Sequence, residues 1–149
     1  MYKRILVPTD FSEHSERAFT HARELAELCG AELIVFHSFD RPPPPGLHGA
    51  GSARRAYLDQ AAAEATARLE EWAGRCAQGG CRRISVEGKP WVEILAAAER
   101  EEIDLICMAS HGRGGVGGLL VGSVTERVLH RATCPVLVIR PEGPMWKPE

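Results

Sequence analysis

Residues 105–140 read LICMASHGRGGVGGLLVGSVTERVLHRATCPVLVIR, and their reading decides the architecture. Residues 105–109 are an uninterrupted apolar run, 110–121 a glycine-rich loop, 123–132 a short helix with Val124, Val128 and Leu129 on one side, and 136–140 a second apolar run. Continuous apolar strands joined through a helix are the mark of a parallel sheet covered on both faces.

The same alternation continues toward the N-terminus. Residues 4–8 (RILVP) predict a buried strand stopped by Pro8. Residues 12–29 predict a helix, with Ala18, Ala22, Leu25, Ala26 and Cys29 at helical spacing and Gly30 as its stop. Asp10 and Glu13 have capping-box spacing, and Ser12 is the other candidate cap. Residues 32–37 are a second strand, 53–77 a long helix with Leu69, Trp72 and Ala73 on its apolar stripe, and 82–87 an alternating strand suited to a sheet edge, with Ile84 and Val86 inward. Pro90 stands near the start of a helix over 91–102, whose stripe is Ile94, Leu95 and Ala98. The order β-α-β-α-β-α-β-α-β predicts a single-domain α/β fold: an open five-stranded parallel sheet, helices on both faces and right-handed crossovers. Residues 41–52, RPPPPGLHGAGS, form an insertion loop that allows neither helix nor strand, and 142–149 read as a loose tail.

Composition narrows the function. The 149 residues carry 18 basic and 20 acidic side chains, a formal charge of −2, which does not suit a nucleic-acid or membrane-surface binder. No run approaches the about 18 apolar residues that cross a bilayer. The apolar run after Lys3 and Arg4 is only Ile5 to Pro8, too short for a signal-peptide core, so a cytoplasmic protein is expected. The five cysteines show no zinc-ribbon spacing and read as reduced thiols. His14 and His21 read as surface histidines, Arg127 as an ordinary surface charge, Trp72 as core and Trp91 as cover for the sheet's edge.

In open parallel sheets ligands sit beyond the carboxyl ends of the strands, where strand order reverses. That directs attention to Pro8, Thr9 and Asp10 and to the loop after residues 105–109. Six glycines fall between 112 and 122. Glycine permits positive φ and close main-chain approach, and successive N–H groups can form an anion-binding concavity. Gly122-Ser123 opens a helix, whose N-terminus favours phosphate, and Ser123 can cap it or donate to a phosphate oxygen. His111 and Arg113 lie in the same loop. A P-loop lysine motif is absent, and Gly112-x-Gly114-x-x-Gly117 follows the wrong strand for a dinucleotide fingerprint.

KRILVPTDFSEHSERAFTHA, VEGKPWVEIL and ASHGRGGVGGLLVGSVTERVLHRATCPVLVIRP together resemble the universal stress protein family, from residue 2 to residue 141. Members of that family that bind ATP share G-x2-G-x9-G-S/T. Gly112 and Gly122-Ser123 match its last three elements, with residues 113–121 between them, and the first glycine falls on Ala109. The resemblance implies strand order 3-2-1-4-5 and a site for ATP, with or without Mg2+. It implies that Asp10 contacts the nucleoside and that Ser38 and Phe39 (just after the second strand) border the adenine. Pro8, Thr9, Ala109, Gly112, Gly122, Ser123 and Val124 are the further site candidates, with His111, which can instead pack or hydrogen-bond within its loop, and Arg113, which can instead stand solvated. It further implies a homodimer through residues 136–140, an apolar edge that invites pairing. The expected function is a regulatory module with little or no hydrolysis, since no catalytic lysine or metal-carboxylate cluster is apparent. The alternatives are a dimeric stress-response interaction protein that binds no nucleotide, which Ala109 favours, and an enzyme of a related nucleotide-activating family with His111 as its acid or base.

Overall fold

The computed structural model describes residues 1–46, 51–76, 80–111 and 121–141, the side chain of Cys76 excepted. Gly112, Arg113 and the tail 142–149 lie outside the described residues, as does the middle of the proline-glycine loop. The strands are β1 (Arg4–Pro8), β2 (Glu32–Phe39), β3 (Arg82–Glu87), β4 (Leu105–Ala109) and β5 (Val136–Ile139). The helices are α1 (Glu13–Cys29), α2 (Ser52–Cys76), α3 (Pro90–Arg100) and α4 (Ser123–Arg131). All pairings are parallel, and the sheet order is β3-β2-β1-β4-β5, the order the family resemblance implies.

The period-two alternation of the strands divides the core into two layers. Ile5, Val7, Leu33, Val35, Leu105 and Cys107 face α1 and α2, where Phe19, Leu69 and Trp72 fill the space. Leu6, Ile34, Phe36, Ile106 and Met108 face α3 and α4 and meet Ile94, Ala97, Ala98 and Val128. Trp72 is 1% exposed, and truncating a buried tryptophan costs about 3–5 kcal/mol. Trp91 packs on the second layer, and its ring is covered by two arginines of α4: Arg127 Cζ is 5.7 Å and Arg131 Cζ 5.2 Å from its centroid. Arg127 is therefore more than a solvated charge.

Local chemistry sets the element ends. Ser12 is the N-cap of α1, its hydroxyl accepting from the Ser15 N–H at 3.3 Å, so it takes the cap from Asp10. Gly30 ends α1 in the left-handed conformation, φ 66°. Pro90 is the first residue of α3. The second strand is longer than its apolar run: pairing with β3 extends through Ser38–Val86 and Phe39–Glu87. Ser38 and Phe39 thus lie within β2 rather than after it, because the parallel ladder continues past the point where hydrophobicity fades.

One feature of the sheet opens the site. β1 and β4 pair at Ile5–Leu105 and Leu6–Ile106, and both strands then run on, to Pro8 and Ala109, with no further paired position between them. β1 is where strand order reverses, so this is the crevice where an open α/β sheet takes a ligand.

Candidate functional site

Thr9 continues the line of β1 by donating its N–H to the Phe36 carbonyl at 2.8 Å. Its buried hydroxyl accepts the Phe11 N–H at 3.0 Å and lies 2.9 Å from Ser15 Oγ. Its carbonyl accepts from His37 Nδ1 at 2.9 Å. Asp10 follows, half-buried, and Oδ1 of its carboxylate accepts the Ser12 N–H at 3.0 Å and the Ser12 hydroxyl. The carboxylate is thereby fixed at the carboxyl end of β1, an acceptor suited to hydroxyl groups of a ligand.

The end of β4 is held as firmly. Ala109 is 8% exposed and pairs with Ile139, and its carbonyl accepts the buried Thr125 hydroxyl at 2.9 Å. Its φ is negative, so the position makes no torsional demand for glycine. Ser110 donates its N–H to Ile139 at 2.9 Å and accepts the Gly122 N–H at 2.7 Å. Its hydroxyl lies 2.9 Å from His111 Nδ1. The other ring nitrogen, Nε2, is buried and has no hydrogen-bond partner among the described residues.

Gly122 is the N-cap of α4, in extended conformation, and being glycine it offers no side chain to cap the helix. Ser123 is the first helical residue and is exposed, so it does not fill the cap role the sequence allowed it. Among the described residues, no side-chain acceptor meets the opening amides of α4, and the helix dipole adds a partial positive charge there. Val124 packs against the second core layer and anchors this turn.

Ser38 and Phe39, at the carboxyl end of the neighbouring strand, are half-buried. The Phe39 carbonyl accepts the Gly88 N–H at 2.9 Å. The structure thus brings Pro8, Thr9, Asp10, Ser38, Phe39, Ala109 and His111 to one end of the sheet, with Gly122, Ser123 and Val124 tied there through Ser110. Gly112 and Arg113 are not described.

Burial pushes the Cys107 thiol up to about 12, so this β4 cysteine is no nucleophile. Among the described residues no group of three His, Cys, Asp or Glu is placed to hold a metal ion. Three residues that shape the site escaped the reading of the sequence. Ser110 and Thr125 look like ordinary loop and helix polar residues, and only the burial of Thr125 beside Val124 and Val128 marks it. Phe11 carries no signal, because its importance lies in a backbone torsion.

The universal stress protein family model matches residues 1–140. The chain belongs to the universal stress protein family. It is 36% identical to universal stress protein MJ0531 of Methanocaldococcus jannaschii, covering 94% of this chain and 83% of that protein. It is 35% identical to a universal stress protein of Thermus aquaticus, covering 94% and 100%. Among solved structures it matches MJ0577 of M. jannaschii with a TM-score of 0.79 at 34% identity, covering 96% of this chain and 99% of that one. A universal stress protein solved in complex with cAMP shares the fold, with a TM-score of 0.62 at 24% identity, covering 93% of this chain and 97% of that one. No helix among the described residues is long and apolar enough to cross a membrane.

Proposed function

We propose that this universal stress protein binds ATP, or a related adenine nucleotide, in the crevice between β1 and β4 and acts as a cytoplasmic regulatory module with little or no hydrolysis. The observation that carries the reading is the first turn of α4, which opens on Gly122 with no side-chain cap among the described residues and is tied to the end of β4. Helix N-termini of this kind accept phosphate. In this reading the amides of Ser123 and Val124 and the Ser123 hydroxyl meet phosphate oxygens. His111 Nε2, buried and without a partner among the described residues, supplies a further donor. Asp10 accepts from the ribose hydroxyls, Pro8 and Thr9 wall the sugar, and Ser38 and Phe39 border the adenine. Gly112 and Arg113 belong to the same set. The cAMP of the more distant structure is that protein's ligand; for this chain the residues above support the reading. Mg2+ would be held chiefly by the phosphates, as is common for nucleotide-bound magnesium.

Weak hydrolysis follows from what the site offers. Phosphoryl transfer needs a positioned water and neutralised charge, and the sequence supplies no P-loop lysine. β5 is a sheet edge whose Leu137 is 38% exposed, which supports pairing of residues 136–140 with their copy in a two-fold dimer.

A thermal-denaturation series with ATP, ADP, AMP and inorganic phosphate tests the ligand class. A nucleotide that binds the folded chain raises Tm with concentration by mass action. The expected order places ATP first and phosphate last. Identical melting in all four refutes nucleotide binding and leaves a dimeric interaction protein of the same fold.

A further inference from the structure

Phe11 follows Asp10 and has φ 64°, the left-handed region that side chains other than glycine and asparagine seldom enter. Nothing in phenylalanine's own chemistry favours that torsion. Its ring contacts hold it there: the His37 ring lies 4.2 Å away, centroid to centroid, the Trp72 ring 6.3 Å away edge-on, and Arg68 of α2 stacks with Cζ 4.7 Å from the centroid. The Phe11 N–H is meanwhile bonded to Thr9 Oγ1 at 3.0 Å.

The torsion has a consequence for Asp10. It turns the chain back so that Ser12, the next residue, reaches Asp10 with both its N–H and its hydroxyl. The carboxylate's orientation is thus tied to Ser12, and Ser12's place is tied to the torsion of Phe11. Backbone held in a sparsely populated region by its surroundings concentrates at ligand sites, and the inference runs from the observed outlier to a role.

We propose that Phe11 is a positioning residue: its ring, packed against His37, Trp72 and Arg68, holds the left-handed turn that aims the Asp10 carboxylate at the ribose hydroxyls of the bound nucleotide. This rests on the nucleotide reading given above. A ring that merely covers Trp72 matters for stability alone, whereas a positioning ring also sets how the site reads ribose.

The test is calorimetric titration of the full chain with ATP and with 2′,3′-dideoxy-ATP, which lacks the hydroxyls Asp10 would bind. Hydrogen bonds to a charged group give wild type an expected preference for ATP of about tenfold or more. In Phe11→Ala the preference falls to within about threefold, with affinity for the dideoxy nucleotide kept near wild type. Arg68→Ala, an exposed change on α2 that removes one face of the packing, lowers the preference in the same direction and serves if Phe11→Ala does not fold. A Phe11→Ala protein that keeps the full preference overturns the proposal. So does a wild type that binds both nucleotides equally, an outcome that leaves ATP binding itself intact. A wild type that binds neither overturns the underlying reading.

Discussion

Gly122 donates its N–H to the carbonyl of Ser110 at 2.7 Å, and this bond ties the N-cap of α4 to the residue that follows β4. α4 therefore begins against the end of β4, whatever path the intervening residues take. Glu126 then donates to the Gly122 carbonyl at 2.9 Å, so the first helical turn is formed and its opening amides are set beside the carboxyl end of β4.

The Thr125 hydroxyl is the second tie between these elements. It is 4% exposed and donates to Ala109 at 2.9 Å. Thr125→Val keeps the shape and removes the donor, leaving a buried carbonyl short of a partner. The expected loss is about 1–2 kcal/mol of stability in urea denaturation, together with weaker ATP binding. Unchanged stability contradicts the assignment of this bond.

Ala109 stands where the ATP-binding motif of the family has glycine. Its backbone is an ordinary strand conformation, so glycine gains no torsional freedom that matters there. Ala109→Gly is expected to destabilise by about 0.5–1 kcal/mol through backbone entropy. ATP affinity is expected to stay within about threefold of wild type, a difference below 1 kcal/mol. A tenfold or greater gain would show that the methyl obstructs the ligand.

Gly88 links β3 to α3 with φ 146°, and a Cβ built on it comes 2.5 Å from Glu93 Oε1. Gly88→Ala meets both an unfavourable torsion and a side chain that must move. The expected cost is about 1–3 kcal/mol, read as a lowered urea midpoint with unchanged m-value. Because Gly88 also donates to Phe39, the variant is expected to weaken ATP binding as well.

At the opposite end of the sheet Glu101 bonds Arg100 Nε at 3.1 Å and lies 2.6 Å from Arg82. Arg100 and then Arg82 hold its carboxyl below the ordinary 4.5. A depressed carboxylate contributes stability above its unfolded pKa and loses it as pH falls through the folded one. Wild type is therefore expected to melt above Glu101→Gln at neutral pH, with the gap closing below about pH 4.5. A gap that stays constant to pH 3 contradicts the ion-pair origin.

The sheet was legible because burial on both faces writes a plain pattern. Residues such as Ile5 to Val7 and Leu105 to Met108 are apolar without a break, and proline or glycine marks their ends. The start of α4 at Gly122-Ser123 was legible too, since Val124 and Val128 set a helical pattern from that point onward. Ser38 and Phe39 were placed one step off, because backbone pairing carries a strand beyond its apolar residues. Thr125 and Ser110 act through single hydrogen bonds to residues far along the chain or across the loop, which no local pattern encodes. Phe11 is the extreme case: its packing opposes its own torsional preference, and only the tertiary structure reveals the contest.

The most direct measurement is calorimetric titration of the purified wild-type chain with ATP at neutral pH, preceded by denaturing a portion and chromatographing any nucleotide released. The expected result is a single saturable site per chain, or a site already filled by co-purified adenine nucleotide. No saturable heat with ATP, ADP or AMP, together with no released nucleotide, would contradict a phosphate cradle at the start of α4.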